Sequence, residues 1–98
     1  MTRLELGPFV DGDLDEIAAY IAQDNPRRAV TFIQEIRAKF QAVQRTPLLY
    51  QLRPDIGDDA RMASVGNYAI LFFVSGDVVR IQRVAYGGRD LPGVFDPA

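Results

Sequence analysis

The sequence contains no cysteine and no histidine. Without cysteine there is no disulfide framework, no thiol nucleophile and no thiolate metal site. Without histidine the commonest general base and the commonest transition-metal ligand are both missing. Any chemistry would fall to Arg, Lys, Tyr, Asp or Glu. Long apolar runs are missing too: none approaches the ~20 residues of a membrane-spanning helix. The opening stretch Met1-Thr2-Arg3-Leu4-Glu5-Leu6-Gly7-Pro8 lacks the continuous apolar core of a secretion signal. These absences lead to the expectation of a soluble cytoplasmic protein with no membrane partner, no metal and no cofactor.

What is present is ordinary globular material. The 98 residues are 48% hydrophobic and 24% charged, which predicts one domain spanning 1–98 with a single core. The net charge of −2 argues against wholesale nucleic-acid binding. The charge is uneven, however. Residues 1–24 carry Arg3 against Glu5, Asp11, Asp13, Asp15, Glu16 and Asp24, so the remainder is mildly basic. Such a segment reads as a solvated helix face, and the same asymmetry can steer a partner.

The stretch Tyr68–Asp90 organises the rest. Tyr68-Ala69-Ile70-Leu71-Phe72-Phe73-Val74 is a continuous apolar run, Ser75-Gly76-Asp77 is a turn signal, and Val78–Tyr86 is a Val/Ile-rich run with arginines set into it. Together they predict an antiparallel hairpin at the centre of a sheet. Upstream, Arg3-Leu4-Glu5-Leu6 alternates before Gly7-Pro8 and reads as a short edge strand. A helix is expected from near Asp11 or Asp13, with Leu14, Ile17, Ala18 and Ile21 as its apolar stripe. Asn25-Pro26 supplies an N-cap and a first-turn proline for a second helix bearing Ala29, Phe32, Ile33, Ile36, Phe40 and Val43. That helix ends near Arg45-Thr46-Pro47, giving a helical hairpin. Residues 47–60 read as a loop or an irregular strand, Arg61–Val65 as a strand, and Gly66-Asn67 as a turn. The predicted order is β-α-α-β-β-β: an α+β domain with the helical hairpin on one face of a mainly antiparallel sheet.

Three residue sets could carry chemistry. The first is Arg61, Arg80, Arg83 and Arg89. By strand parity, Val79 and Ile81 facing the helices would leave Arg80 on the open face and Arg83 beside the core. An arginine there needs a partner, with Asp90 or Asp15 as candidates. Arg89, flanked by Gly87-Gly88, reads as a contact for a partner. The second set, Asp55, Asp58 and Asp59, lacks a calcium-loop pattern and reads as a solvated loop. The third, Tyr20, Tyr50, Tyr68 and Tyr86, reads as core or rim packing with satisfied hydroxyls.

Three segments then add up to a family. D-L-D-E-I-A-A-Y-I-A-Q-D-N-P-R-R-A (13–29), R-M-A-S-V-G-N-Y-A-I-L-F-F-V (61–74) and V-R-I-Q-R-V-A-Y-G-G-R-D-L (79–91) resemble the RelE/ParE superfamily of bacterial toxins. The resemblance spans nearly the whole chain. It implies one of two activities. RelE-type members cleave mRNA in the ribosomal A site with a basic cluster and a C-terminal tyrosine. ParE-type members lack that cluster and poison DNA gyrase. In this chain the strand-opening Tyr68 is followed by Ala69 where RelE-type toxins carry arginine. The preceding strand offers Arg61 and then Met62, Ala63 and Ser64 in place of lysines. Phe95, without a hydroxyl, stands near the position of the C-terminal tyrosine.

The resemblance therefore implies a ParE-type, non-enzymatic toxin. Arg61, Arg80, Arg83, Arg89 and Asp90 are the expected contacts to gyrase. Ile17, Tyr20, Ile21, Phe32, Tyr68 and Phe73 are the expected contacts to a ParD-like antitoxin with a ribbon-helix-helix DNA-binding part. Operator DNA would be reached only through that antitoxin. The pI of about 4.9 departs from the basic character common in the superfamily. Two other readings stand beside this one: a ribosome-dependent mRNA endonuclease, and a non-toxic relative that survives as an antitoxin-binding module.

Overall fold

The structure, a computed structural model, describes residues 2–87. Its elements run β1 (Arg3–Leu6), α1 (Val10–Ala22), α2 (Pro26–Arg45), a single 3-10 turn (Pro47–Leu49), β2 (Arg61–Val65), β3 (Tyr68–Ser75) and β4 (Val78–Tyr86). The four strands form one sheet in the order β1-β4-β3-β2. β2, β3 and β4 are antiparallel neighbours, and β1 pairs in parallel with β4 along the edge. The helical hairpin covers one face, giving the expected α+β architecture.

Both tight turns rest on glycine. Val65 pairs with Tyr68 across Gly66-Asn67, and Ser75 pairs with Val78 across Gly76-Asp77. Gly66 and Gly76 sit at φ +56° and +59°, a conformation that two-residue hairpin loops need and that side chains disfavour.

α1 begins at Val10, slightly before the acids, because the buried Val10 side chain belongs to its apolar stripe with Leu14 and Ile17. α2 is capped as expected. Pro26 opens it, and the Asn25 carboxamide oxygen accepts from the Arg28 N–H at 3.1 Å. Asn25→Ala is expected to cost about 1 kcal/mol by leaving that N–H without its cap. Thermal denaturation checks this, at roughly 4–8 °C per kcal/mol for a chain of this size.

The core lies between helices and sheet. Val10, Leu14, Ile17, Phe32, Ile36, Phe40 and Val43 from the helices meet Ala63, Ile70, Phe72, Val79, Ile81 and Val84 from the strands. The last three show an irregularity. Val79 and Ile81 are two apart, as one face of a strand requires, but Val84 is three further on and still faces the helices. The cause is a β-bulge: Leu71 pairs with Arg83 and Phe72 with Ile81, so Gln82 is extra. Simple alternation from Val79 therefore does not fix the face of Arg83.

Residues 47–60 are more ordered than a loop. Leu52 bridges Arg61, the Arg53 N–H donates to the Ala60 carbonyl at 2.7 Å, and the Met62 N–H donates to that of Gln51 at 3.2 Å. Asp55 takes two bonds from the Arg53 guanidinium, at 2.9 and 2.8 Å. Among the described residues no group of three or more carboxylates could hold a metal ion, and no helix is long and apolar enough to cross a membrane.

Candidate functional site

The expected target-contact arginines do not converge. Arg61, on the outer strand β2, shares the face of its pair partner Phe72 and donates to the Tyr50 carbonyl at 2.6 Å. Arg80 pairs with Phe73 on the opposite face and is exposed, 3.6 Å from the Glu5 carboxylate on β1. Arg83 lies where β4 meets the start of α1. Arg89 and Asp90 lie outside the described residues.

Arg83 is where the sequence expectation needs correction. Its partner is Asp13, not the exposed Asp15. The guanidinium donates through Nε and Nη2 to the two Asp13 oxygens at 2.9 and 2.8 Å. The same carboxylate accepts from the Val84 N–H at 3.0 Å. The topology explains this arrangement. β1 ends at Leu6, opposite Ile81, and the Gly7 N–H makes a last bond to the Ile81 carbonyl. Beyond that point the outer edge of β4 has no strand beside it. Asp13 takes the place of a strand for the Val84 N–H. The hydrogen bonds that Arg83 donates to Asp13 raise the Arg83 pKa above its ordinary value, against the opposing effect of desolvation. The Phe9 ring lies 4.8 Å from the guanidinium carbon. The signal for Asp13 was available in the sequence: it stands three residues after Val10 and four before Ile17, on the buried stripe.

A second cluster forms where the N-terminal end of α2 meets the start of β3. Phe32 and Tyr68 have ring centroids 5.5 Å apart, and Tyr68 and Tyr86 5.9 Å apart. The Arg28 guanidinium lies 5.1 Å over Phe32. A Cβ on Gly66 would approach the Phe32 ring to 3.2 Å, a second reason for glycine there. Burial, then the neighbouring Tyr20 and Tyr86 phenols, raise the Tyr68 pKa above the ordinary phenol range. Tyr68 is thus held protonated at neutral pH and is a poor proton acceptor. An ultraviolet titration should show a late phenolate component that disappears in Tyr68→Phe. Because the raised pKa stabilises the fold below the unfolded-state pKa, that stability should be lost as the pH rises through the phenol range. An unchanged titration in Tyr68→Phe would refute this assignment.

The six expected antitoxin contacts separate by burial. Ile17 and Phe32, each 6% exposed, are part of the core. Ile21 and Tyr68 are half-buried against it, and Phe73 is half-buried on the other face of the sheet. Tyr20, 68% exposed, is the one that stands fully in solvent. Beside the helical hairpin, where the sequence reading expected an amphipathic segment to dock, lies a groove of about 530 Å³ with Ala18, Ala19, Ala22, Ala29, Val30 and Ile33 on its walls. The small side chains leave room for larger ones from outside.

Comparison with known proteins agrees with this architecture. The family model described as the ParE toxin of type II toxin-antitoxin system, parDE, matches residues 4–91. One solved structure, from the chromosomal ParDE TA system of P. aeruginosa, superposes with a TM-score of 0.76 at 22% identity, covering 88% of this chain and 96% of that chain. At that identity the likeness concerns the fold. A search of curated proteins by sequence returns no match. The family match runs from Leu4 within β1 through the end of β4, and the chain is a member of the ParE toxin family of type II toxin–antitoxin systems.

Proposed function

We propose that this toxin acts by binding DNA gyrase and stabilising its cleaved-DNA complex, and that a cognate ParD-like antitoxin neutralises it. The observation that carries the reading is Ala69. RelE-type RNases place an arginine after the strand-opening tyrosine. Here that position is a 2% exposed alanine clustered with Leu71 and Ala85. Cleaving a phosphodiester through its 2′-OH needs a proton acceptor and cationic stabilisation of the pentavalent charge. An apolar patch supplies neither, and Arg61, Arg80 and Arg83 are dispersed to separate intramolecular partners. A binding toxin needs only a surface.

Antitoxin docking is proposed for the helical-hairpin groove and the adjoining Tyr20, where an amphipathic segment could lay apolar side chains against the alanines. Such a segment would fold as it binds. Contact with operator DNA would then come from the antitoxin's ribbon-helix-helix part, in keeping with the toxin's acidic pI of about 4.9.

Induced expression in bacterial cells separates the readings. Growth arrest with plasmid linearised on detergent lysis, and with mRNA 5′ ends unchanged, is expected. Cleaved mRNA with intact plasmid would instead establish the RNase reading. Unimpaired growth with folded protein would leave an antitoxin-binding module.

A further inference from the structure

Charge along α2 is distributed unlike charge in the rest of the chain. The helix carries Arg27, Arg28, Arg37, Lys39 and Arg45 against Glu35 alone, in a protein of net charge −2. Among the described residues, every arginine outside α2 has a partner. Arg3 and Arg80 lie against Glu5, Arg53 against Asp55 and Arg83 against Asp13, and Arg61 donates to the Tyr50 carbonyl. Arg28 pairs with Glu35 within the helix. The described cations that make no such contact are Arg27, Arg37, Lys39 and Arg45, and all of them stand on α2. A single unpaired surface cation costs little, but several on one helix make a positive field that nothing in the chain answers.

Two of these cations border the groove beside the helical hairpin. Pro26, Val30, Ile33 and Arg37 follow one another at helical spacing along its wall. One turn on, Gln41, Gln44 and Arg45 line a second depression of about 540 Å³, bounded by Thr2, whose carbonyl accepts from the Gln44 carboxamide at 2.8 Å. The outer face of α2 is therefore a channel in two parts. It is apolar from Pro26 to Ile33, then polar and basic from Arg37 to Arg45, over about 28 Å in all.

We propose that the occupant of this channel is one amphipathic helix with two chemical halves: large apolar side chains over the alanines, and carboxylates beside Arg37 and Arg45. The inference rests on the antitoxin-docking reading of the groove and adds the partner's charge and register. A helix of about 20 residues spans the channel. Apolar side chains can slide by a turn along a wall of alanines, whereas a charged pair at one end fixes the register. A protein segment is favoured over nucleic acid because the groove walls are alanine and valine, and the exposed Asp15 and Glu16 on the adjoining α1 repel phosphates. A second copy of the chain is disfavoured because a two-fold pairing of α2 sets its arginines against each other.

The probes are stapled helical peptides of about 20 residues, with leucines at helical spacing in one half and a pair of glutamates, glutamines or lysines on the same face of the other. Binding to the full-length chain is read by fluorescence anisotropy. The glutamate peptide should bind roughly three- to tenfold more tightly than the glutamine peptide, and the lysine peptide more weakly than either, with the differences shrinking at high salt. Arg37→Glu/Arg45→Glu should reverse that order. Lys39→Glu should not, because Lys39 lies on the other side of α2, toward Ser64 and Val65. Ala19→Trp, which fills the apolar half, should weaken all three peptides. Equal binding of the three, abolished by Ala19→Trp, overturns the proposal while the groove stands as a docking site. Failure of every peptide to bind overturns both. Binding of duplex DNA through Arg37 and Arg45 with no preference for the acidic peptide, or dimerisation through the same residues, gives the channel a different occupant and also overturns the proposal.

Discussion

Asp13→Ala should lower the stability of this toxin by about 3 kcal/mol, near the lower end of what removal of one partner from a buried ion pair costs. The Asp13 side chain is 8% exposed and that of Arg83 27%. Removing the carboxylate strands a guanidinium that has limited access to water and unpairs the Val84 N–H at the edge of β4. The residual exposure of Arg83 is why the lower end applies. Asp13→Asn retains an acceptor for Val84 but loses the charge, and should fall between. Urea unfolding of Asp13→Ala, Arg83→Ala and the double variant provides the check. The double variant should be less damaged than the sum of the singles, because no cation is then left without its partner. A loss under 0.5 kcal/mol for Asp13→Ala, the range of an ordinary surface change, would contradict this role.

The second large effect is expected at Phe72. This ring is fully buried, sits beside the bulge on β3, and meets Tyr50 edge-on at 5.8 Å. It lies where α2, the 47–60 segment and the sheet come together. Phe72→Ala removes the ring and leaves a cavity that rigid strands cannot close, at a cost of about 3–5 kcal/mol. For a small domain that is a large share of the total stability. Leu49→Ala provides the contrast: Leu49 is 82% exposed and its loss should stay within about 0.5 kcal/mol. Chemical denaturation of both variants tests the assignment. A Phe72→Ala chain as stable as Leu49→Ala would mean that the core is organised otherwise.

How far the sequence revealed the site depends on what kind of interaction places each residue. Asn25-Pro26, Gly66-Asn67 and Gly76-Asp77 act locally, through a cap and two positive φ angles, and their elements begin and end where those residues indicate. The helical stripes were legible for the same reason. Arg83 was not. Its environment depends on one extra residue, Gln82, set by pairing between two strands, and on β1 ending opposite Ile81. No local pattern around Arg83 encodes either. Alternation alone put it beside the core and suggested Asp15 or Asp90, when the stripe position of Asp13 was the better guide. The apolar run of β3 was informative in a way that strict in–out alternation obscured: Ile70, Leu71 and Phe72 are each 0% exposed, so part of that strand is covered on both faces.

The same physics explains the scatter of the arginines. Each of Arg61, Arg80 and Arg83 has a partner within the chain. These three arginines, expected from sequence as contacts to the target, are separately anchored within the chain. A target-binding role for this family member therefore rests on the shape of its surface more than on a concentrated positive charge.

The most direct test of the central claim is a supercoiling assay with purified gyrase, relaxed plasmid, ATP and this protein freed of antitoxin. The expected result is inhibition of supercoiling with accumulation of cleaved plasmid, relieved by adding back the antitoxin. Undiminished supercoiling in the presence of demonstrably folded protein would contradict gyrase as the target.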